Sequence, residues 1–101
     1  MGETESARVD VGALLLVARR YDEVADSVDE VARTHLTRLR FDGAAAGREY
    51  APRGDSLRQA VGEVVAQLQT WSRALREIAS AIRVSAAHYA DVEARAAARL
   101  A

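Results

Sequence analysis

Residues 57–96 read LRQAVGEVVAQLQTWSRALREIASAIRVSAAHYADVEARA. Within that stretch Leu57, Val61, Val64, Leu68, Trp71, Leu75, Ile78, Ile82, Ser85, Tyr89, Val92 and Ala96 follow one another at alternating steps of four and three. That spacing places all of them on a single stripe of one long helix. A stripe so long has to be covered by other helices, so the function is expected in what this surface packs against and not in a cleft.

Working outward, glycine and proline partition the chain. Neither occurs between Ala13 and Asp42, nor from Glu63 to the C-terminus, whereas Gly43, Gly47, Pro52 and Gly54 fall in the short interval between. Two long helices joined by one loop follow from this. The first has Asp10 as its N-cap, a short acceptor side chain able to bond the free N–H groups of the first turn. Its stripe is Leu14, Val17, Tyr21, Val24, Val28, Val31 and His35, with a four-residue shift to Leu39. The second opens with Ser56-Leu-Arg-Gln59, the pattern of a capping box. A helix of about 40 residues is on the order of 60 Å long. The expected boundaries are a flexible segment 1–9, a helix over about 10–42, a loop over 43–55 and a helix over 56–98.

Both helices share one period, so the predicted fold is all-α, an antiparallel two-helix hairpin that pairs into a four-helix bundle. Leu14, Val17, Tyr21, Val24, Val28, Leu68, Trp71, Leu75, Ile78 and Ile82 are the expected core and interface, with the Trp71 ring as a core anchor ahead of a partner hot spot, two readings that merge if the core is itself an interface. His35, on the stripe, is expected as a core or interfacial imidazole. Val11, Leu15 and Ala18 form a second apolar flank that one hairpin cannot cover, which predicts a further helix or a second subunit. A core rich in alanine buries little area per residue and leaves a chain of 101 residues marginally stable alone.

Composition removes several functions. The 14 basic residues, all arginine, are interleaved with 15 acidic ones for a net charge of −1, so the clustered cations that nucleic acid requires are missing. The arginine and alanine bias points to a GC-rich bacterial coding sequence. With no cysteine and no lysine there is no disulfide, thiolate metal site, cysteine nucleophile, Schiff base or P-loop lysine. No apolar run is long enough to span a membrane, and the acidic start does not fit a Sec-type signal peptide. Met1–Ser6 fits the bare myristoylation pattern, but its acidic residues oppose an anionic membrane.

The remaining clusters have plain readings. Asp22, Asp26 and Asp29 or Glu30 share a helix face that suits either a hard metal or solvent, and Arg19 and Arg33 within pairing distance favour the solvated face. Gly43-Ala-Ala-Ala-Gly47 has the small-xxx-small form yet lies between charged residues in the loop, so it reads as a connector. No triad of hydrolytic type and no Glu-x-x-His pair occurs. The expectation is a protein that is not an enzyme and holds no metal or cofactor.

One motif carries the functional reading. Tyr89-Ala-Asp-Val-Glu93 is a Tyr-x-x-x-Glu near the end of the second helix, while Tyr21 and Tyr50 have no acid four residues on. With two long helices, a short glycine-containing loop and about a hundred residues, the chain resembles the small helical-hairpin substrates of type VII (ESX) secretion. It is similar in particular to the EspC-like, secretion-associated branch, on Val9-Asp10 before Leu14-Leu-Leu-Val-Ala18 and on the run Ile82 to Glu93. Many members of the wider group, the WXG-type proteins, place Trp-x-Gly in the turn; here the loop offers Arg48-Glu-Tyr50 and the only tryptophan is Trp71. The resemblance implies export without a cleaved signal peptide, to the medium or cell surface. It also implies pairing with the same or another helical-hairpin protein, and recognition of Tyr89 and Glu93 by the secretion machinery. The competing expectation is a cytosolic coiled-coil adaptor or antitoxin-like module that binds one protein partner.

Overall fold

Asp10 begins the first helix as an N-cap. Its backbone is extended, with φ −83° and ψ 97°, and its carboxylate accepts a 2.9 Å hydrogen bond from the Ala13 N–H. Helix α1 then runs Val11–Val31. In the computed structural model, which describes residues 9–39, 41 and 51–100, it continues through a π-helical turn at Ala32–Leu36. Two threonines account for that turn. Thr34 Oγ1 donates to the Glu30 carbonyl at 2.7 Å and Thr37 Oγ1 to the Ala32 carbonyl at 3.3 Å. Hydroxyls that engage carbonyls compete with the ordinary ladder and let it widen by one residue.

Helix α2 is the 50-residue segment Ala51–Leu100. At 1.5 Å per residue it is about 75 Å long, which is the length of the molecule, 77 × 21 × 17 Å. It includes residues 51–55, which were expected in the loop, so Ser56 is interior to the helix and does not cap it. Pro52 stands in the first turn, where its missing N–H has no intrahelical partner to lose. The expected connector at Gly43–Gly47, Arg48–Tyr50 and the myristoylation pattern at Met1–Ser6 lie outside the described residues. No strand occurs among the described residues.

The helices pack side by side and antiparallel. Arg83 of α2 pairs with Asp22 of α1, and Arg76 with Asp26 and Asp29, so partners descend along α1 as numbers rise along α2. The seam between them is made of small residues. Ala18, Ala25 and Ala32 of α1 and Ser72, Ala79 and Ala86 of α2 are buried, at seven-residue spacing in each helix, and Val61 joins them. Ala18, Ala25 and Ala79 have no exposed surface at all. Side chains this short bring the two axes close together.

Within one chain the buried line is therefore not the stripe of large residues. Ala18 belongs to the intramolecular seam and not to an uncovered flank. Trp71 is 53% exposed, and Val17, Val24 and Ile78 are exposed with it. Leu14, Tyr21, Val28, Leu68, Leu75 and Ile82 are half-buried, along the edge of the seam. His35 is exposed on the π-helical turn, while the neighbouring Leu36 is half-buried. The physical reason is shared: where an alanine seam has closed the gap between helices, a large ring or branched chain no longer fits inside and is displaced to one side.

Candidate functional site

The seven-residue repeat of the seam decides what each side of the pair carries. In α1 the positions one step before the buried alanines are Val17, Val24 and Val31, so they emerge on one flank of the seam. In α2 Trp71 and Ile78 stand in the same relation to Ser72 and Ala79, and the two helices present these residues on a common face. Shared clefts show it directly. Leu14 lines one with Ile78, Ile82 and Tyr89, and Tyr21 and Val24 line another with Leu75 and Arg20. Leu57, Val64 and Val92, all exposed, extend the α2 row toward both ends.

The opposite side is polar and closed by ion pairs. Arg76 reaches Asp26 at 2.8 Å and Asp29 at 2.7 Å, and Arg83 reaches Asp22 at 2.5 Å. Sequence spacing suggested pairing with Arg19 and Arg33, but the helix opposite supplies the partners. Ser72 lies under this rail, its hydroxyl 3.5 Å from the Ala25 carbonyl. Hydrogen bonding from Ser72, then from Arg76, holds the Asp29 carboxyl below the usual carboxylate range, and Asp29 with Asp26 raises Arg76 in turn. Exposed pairs of this kind add little net stability. They specify register and direction, because a shifted or parallel pairing leaves the carboxylates against each other or against nothing. Among the described residues no three His, Cys, Asp or Glu side chains are grouped to hold a metal ion.

Tyr89 and Glu93 occupy a distinct stretch. Every residue from Ala87 to Leu100 is exposed, so none of α2 is fully buried against α1 there. Tyr89 borders the apolar cleft with Leu14 and Ile82, and its ring meets the His88 ring edge to face at 6.0 Å. Four residues on, Glu93 is exposed one turn beyond it on the same side of the helix. No helix among the described residues is long and apolar enough to cross a membrane.

A family model described as a family of unknown function, DUF7162, matches residues 1–89. The chain belongs to that family. The match takes in α1, the seam and nearly all of the apolar face, and it ends at Tyr89, four residues before Glu93. No curated protein and no solved structure matches the chain.

Proposed function

We propose that this chain is a non-enzymatic type VII (ESX) secretion substrate or secretion-associated protein, a helical hairpin that works by pairing through its apolar face. The observation that carries the reading is the division of the molecule into two unlike sides. One is an ion-paired rail, and the other is a row of large apolar side chains left exposed among the described residues. Soluble proteins rarely expose such a row unless another protein covers it. The partner in this reading is a second helical hairpin, and the product is a four-helix bundle.

Export rests on the resemblance to the EspC-like branch together with the accessibility of Tyr89 and Glu93. A phenol and a carboxylate one turn apart on an uncovered stretch of helix form a compact mark, aromatic and charged, that a secretion machinery can read. The protein would leave the cell without a cleaved signal peptide and act in the medium or at the cell surface. The test is the amount of Tyr89→Leu and Glu93→Ala protein in culture filtrate and in lysate of a cell with an active type VII system. Both variants are expected in the lysate alone, with helicity unchanged. Normal amounts of both in the filtrate would remove the export reading and favour a cytosolic coiled-coil adaptor or antitoxin-like module.

A further inference from the structure

Seven residues separate Ala18 from Ala25 and Ala25 from Ala32 along the buried seam of α1. The next step of seven reaches Leu39, and on α2 the step back from Ser72 reaches Val65. Continued as an ordinary α-helix, α1 would carry that leucine into the seam against that valine, where the preceding levels hold only alanine and serine. Axes drawn together by side chains so short leave little room for it. The chain removes the conflict one turn earlier. The π-helical turn at Ala32–Leu36 takes up one extra residue, which rotates everything after it back by roughly 100°. Leu36 is brought round to the seam and is half-buried, while Leu39 is exposed. Leu39 then stands eight residues beyond Val31, in line with the apolar row Val17, Val24, Val31.

We infer that the end of α1 is a two-register element, π as found and α when the ladder closes by one residue, and that the change moves Leu39 between the apolar face and the seam. This rests on the alanine seam and not on export. Thr37 is the latch. Its hydroxyl reaches the Ala32 carbonyl, five residues back, at 3.3 Å, a span that needs the widened turn. Thr34 reaches Glu30, four residues back, at 2.7 Å, a span that an α-helix also permits. Opposed effects set the balance. The α register restores the ordinary ladder, whereas the π register keeps a large side chain out of a narrow seam and keeps the Thr37 bond. The α2 side of the seam changes here from alanines and Ser72 to Val65 and the buried Val61. The helices are therefore less tightly drawn together at this end, and the α register is costly without being barred. The device governs the extent of the apolar face: Leu39 lengthens the row in one register and is withdrawn from it in the other. Whatever covers Leu39 favours the π register, and with it the packing of Leu36 at the seam.

Nuclear magnetic resonance of the full chain tests this. Couplings across backbone hydrogen bonds read which carbonyl each N–H of residues 33–39 engages, and methyl contacts read whether Leu39 meets Val65. In the parent chain the turn should pair across five residues, with Leu36 in contact with α2 and Leu39 away from Val65. Thr37→Val keeps the shape of the side chain and removes the latch; Leu39→Ala removes the conflict and leaves both hydroxyls in place. Each should pair across four residues throughout, and Leu39 of Thr37→Val should come into contact with Val65. Thr34→Val should keep the parent pattern, because it loses a bond that either register allows. Five-residue pairing that persists in Thr37→Val or in Leu39→Ala would overturn the inference. Four-residue pairing in the parent chain would overturn it too, as would N–H groups of residues 33–39 left unpaired in either variant. None of these outcomes bears on export, which is decided separately by Glu93→Ala in cells.

Discussion

Replacing Ala79 by Leu inserts three carbons where the native methyl group has no exposed surface. Ala79 sits on the α2 side of a seam whose α1 side is Ala18, Ala25 and Ala32, so no large neighbour can shrink or swing aside to make room. The helices must separate, and that draws the Arg76 and Arg83 guanidinium groups away from Asp22, Asp26 and Asp29. Overpacking of this kind costs about 1–3 kcal/mol. A chain of this size has on the order of 5–15 kcal/mol in all, and an alanine-rich seam places it toward the low end. The expected loss is therefore about 2 kcal/mol, or a melting temperature lower by roughly 10 °C. Ala74→Leu is the control, since Ala74 is exposed and both residues are good helix formers; its effect should stay within about 0.5 kcal/mol. Urea unfolding of both variants at one protein concentration measures the contrast. Equal stability of the two would refute the small-residue seam and restore the large residues as the contact between helices.

Two other outcomes are expected of the isolated protein. Gly62 is in the interior of α2, and a methyl group added there meets nothing within 4 Å, so Gly62→Ala should raise the unfolding free energy by about 1 kcal/mol through helix propensity alone; no gain in urea unfolding would argue against a continuous helix at that point. The Asp29 carboxyl is held below its ordinary value of 3.8 by Ser72 and Arg76, so its contribution is complete above that pH and is lost as the pH falls through the lower, folded value. Acid unfolding of Asp29→Asn should accordingly show a shallower fall in stability below pH 3.8 than the parent chain, and superposable profiles would show that Asp29 titrates freely.

The helices were legible from the sequence because their period is unbroken, and Asp10 was legible as a cap because its side chain needs only the next turn. Periodicity fixes a stripe but not where its centre points. The stripe passes through Leu14, Val17, Tyr21 and Val24, whereas the line of contact runs one step further round, through Ala18 and Ala25. Alanine is equally at home on a surface and in a tight seam, so its repeat at 18, 25 and 32 carries no distinguishing signal, whereas Trp71, a large ring at the middle of the stripe, reads as a core anchor. The start of α2 was missed for a related reason: Pro52 and Gly54 are read as breakers, but a first turn tolerates both. The partners of Asp22, Asp26 and Asp29 were sought along α1 because local spacing shows only local pairs. Arg76 and Arg83 became visible once the register of α2 against α1 was known. The π-helical turn at Ala32–Leu36 had a faint signal in Thr34 and Thr37, both able to bond a carbonyl behind them, and it is what leaves His35 outside and Leu36 turned inward.

Trp71 is the only tryptophan in the chain and stands at the centre of the uncovered face, so its fluorescence reports on the central claim without any substitution. Emission spectra recorded over a dilution series, with the mass followed by sedimentation in parallel, test whether that face is open in one copy and covered by another. The account predicts a long-wavelength, solvent-exposed maximum at the dilute, monomeric limit, moving to shorter wavelength as the mass doubles. A maximum that stays at one wavelength while the mass changes would place Trp71 outside the contact and contradict the account, and so would a mass that never changes.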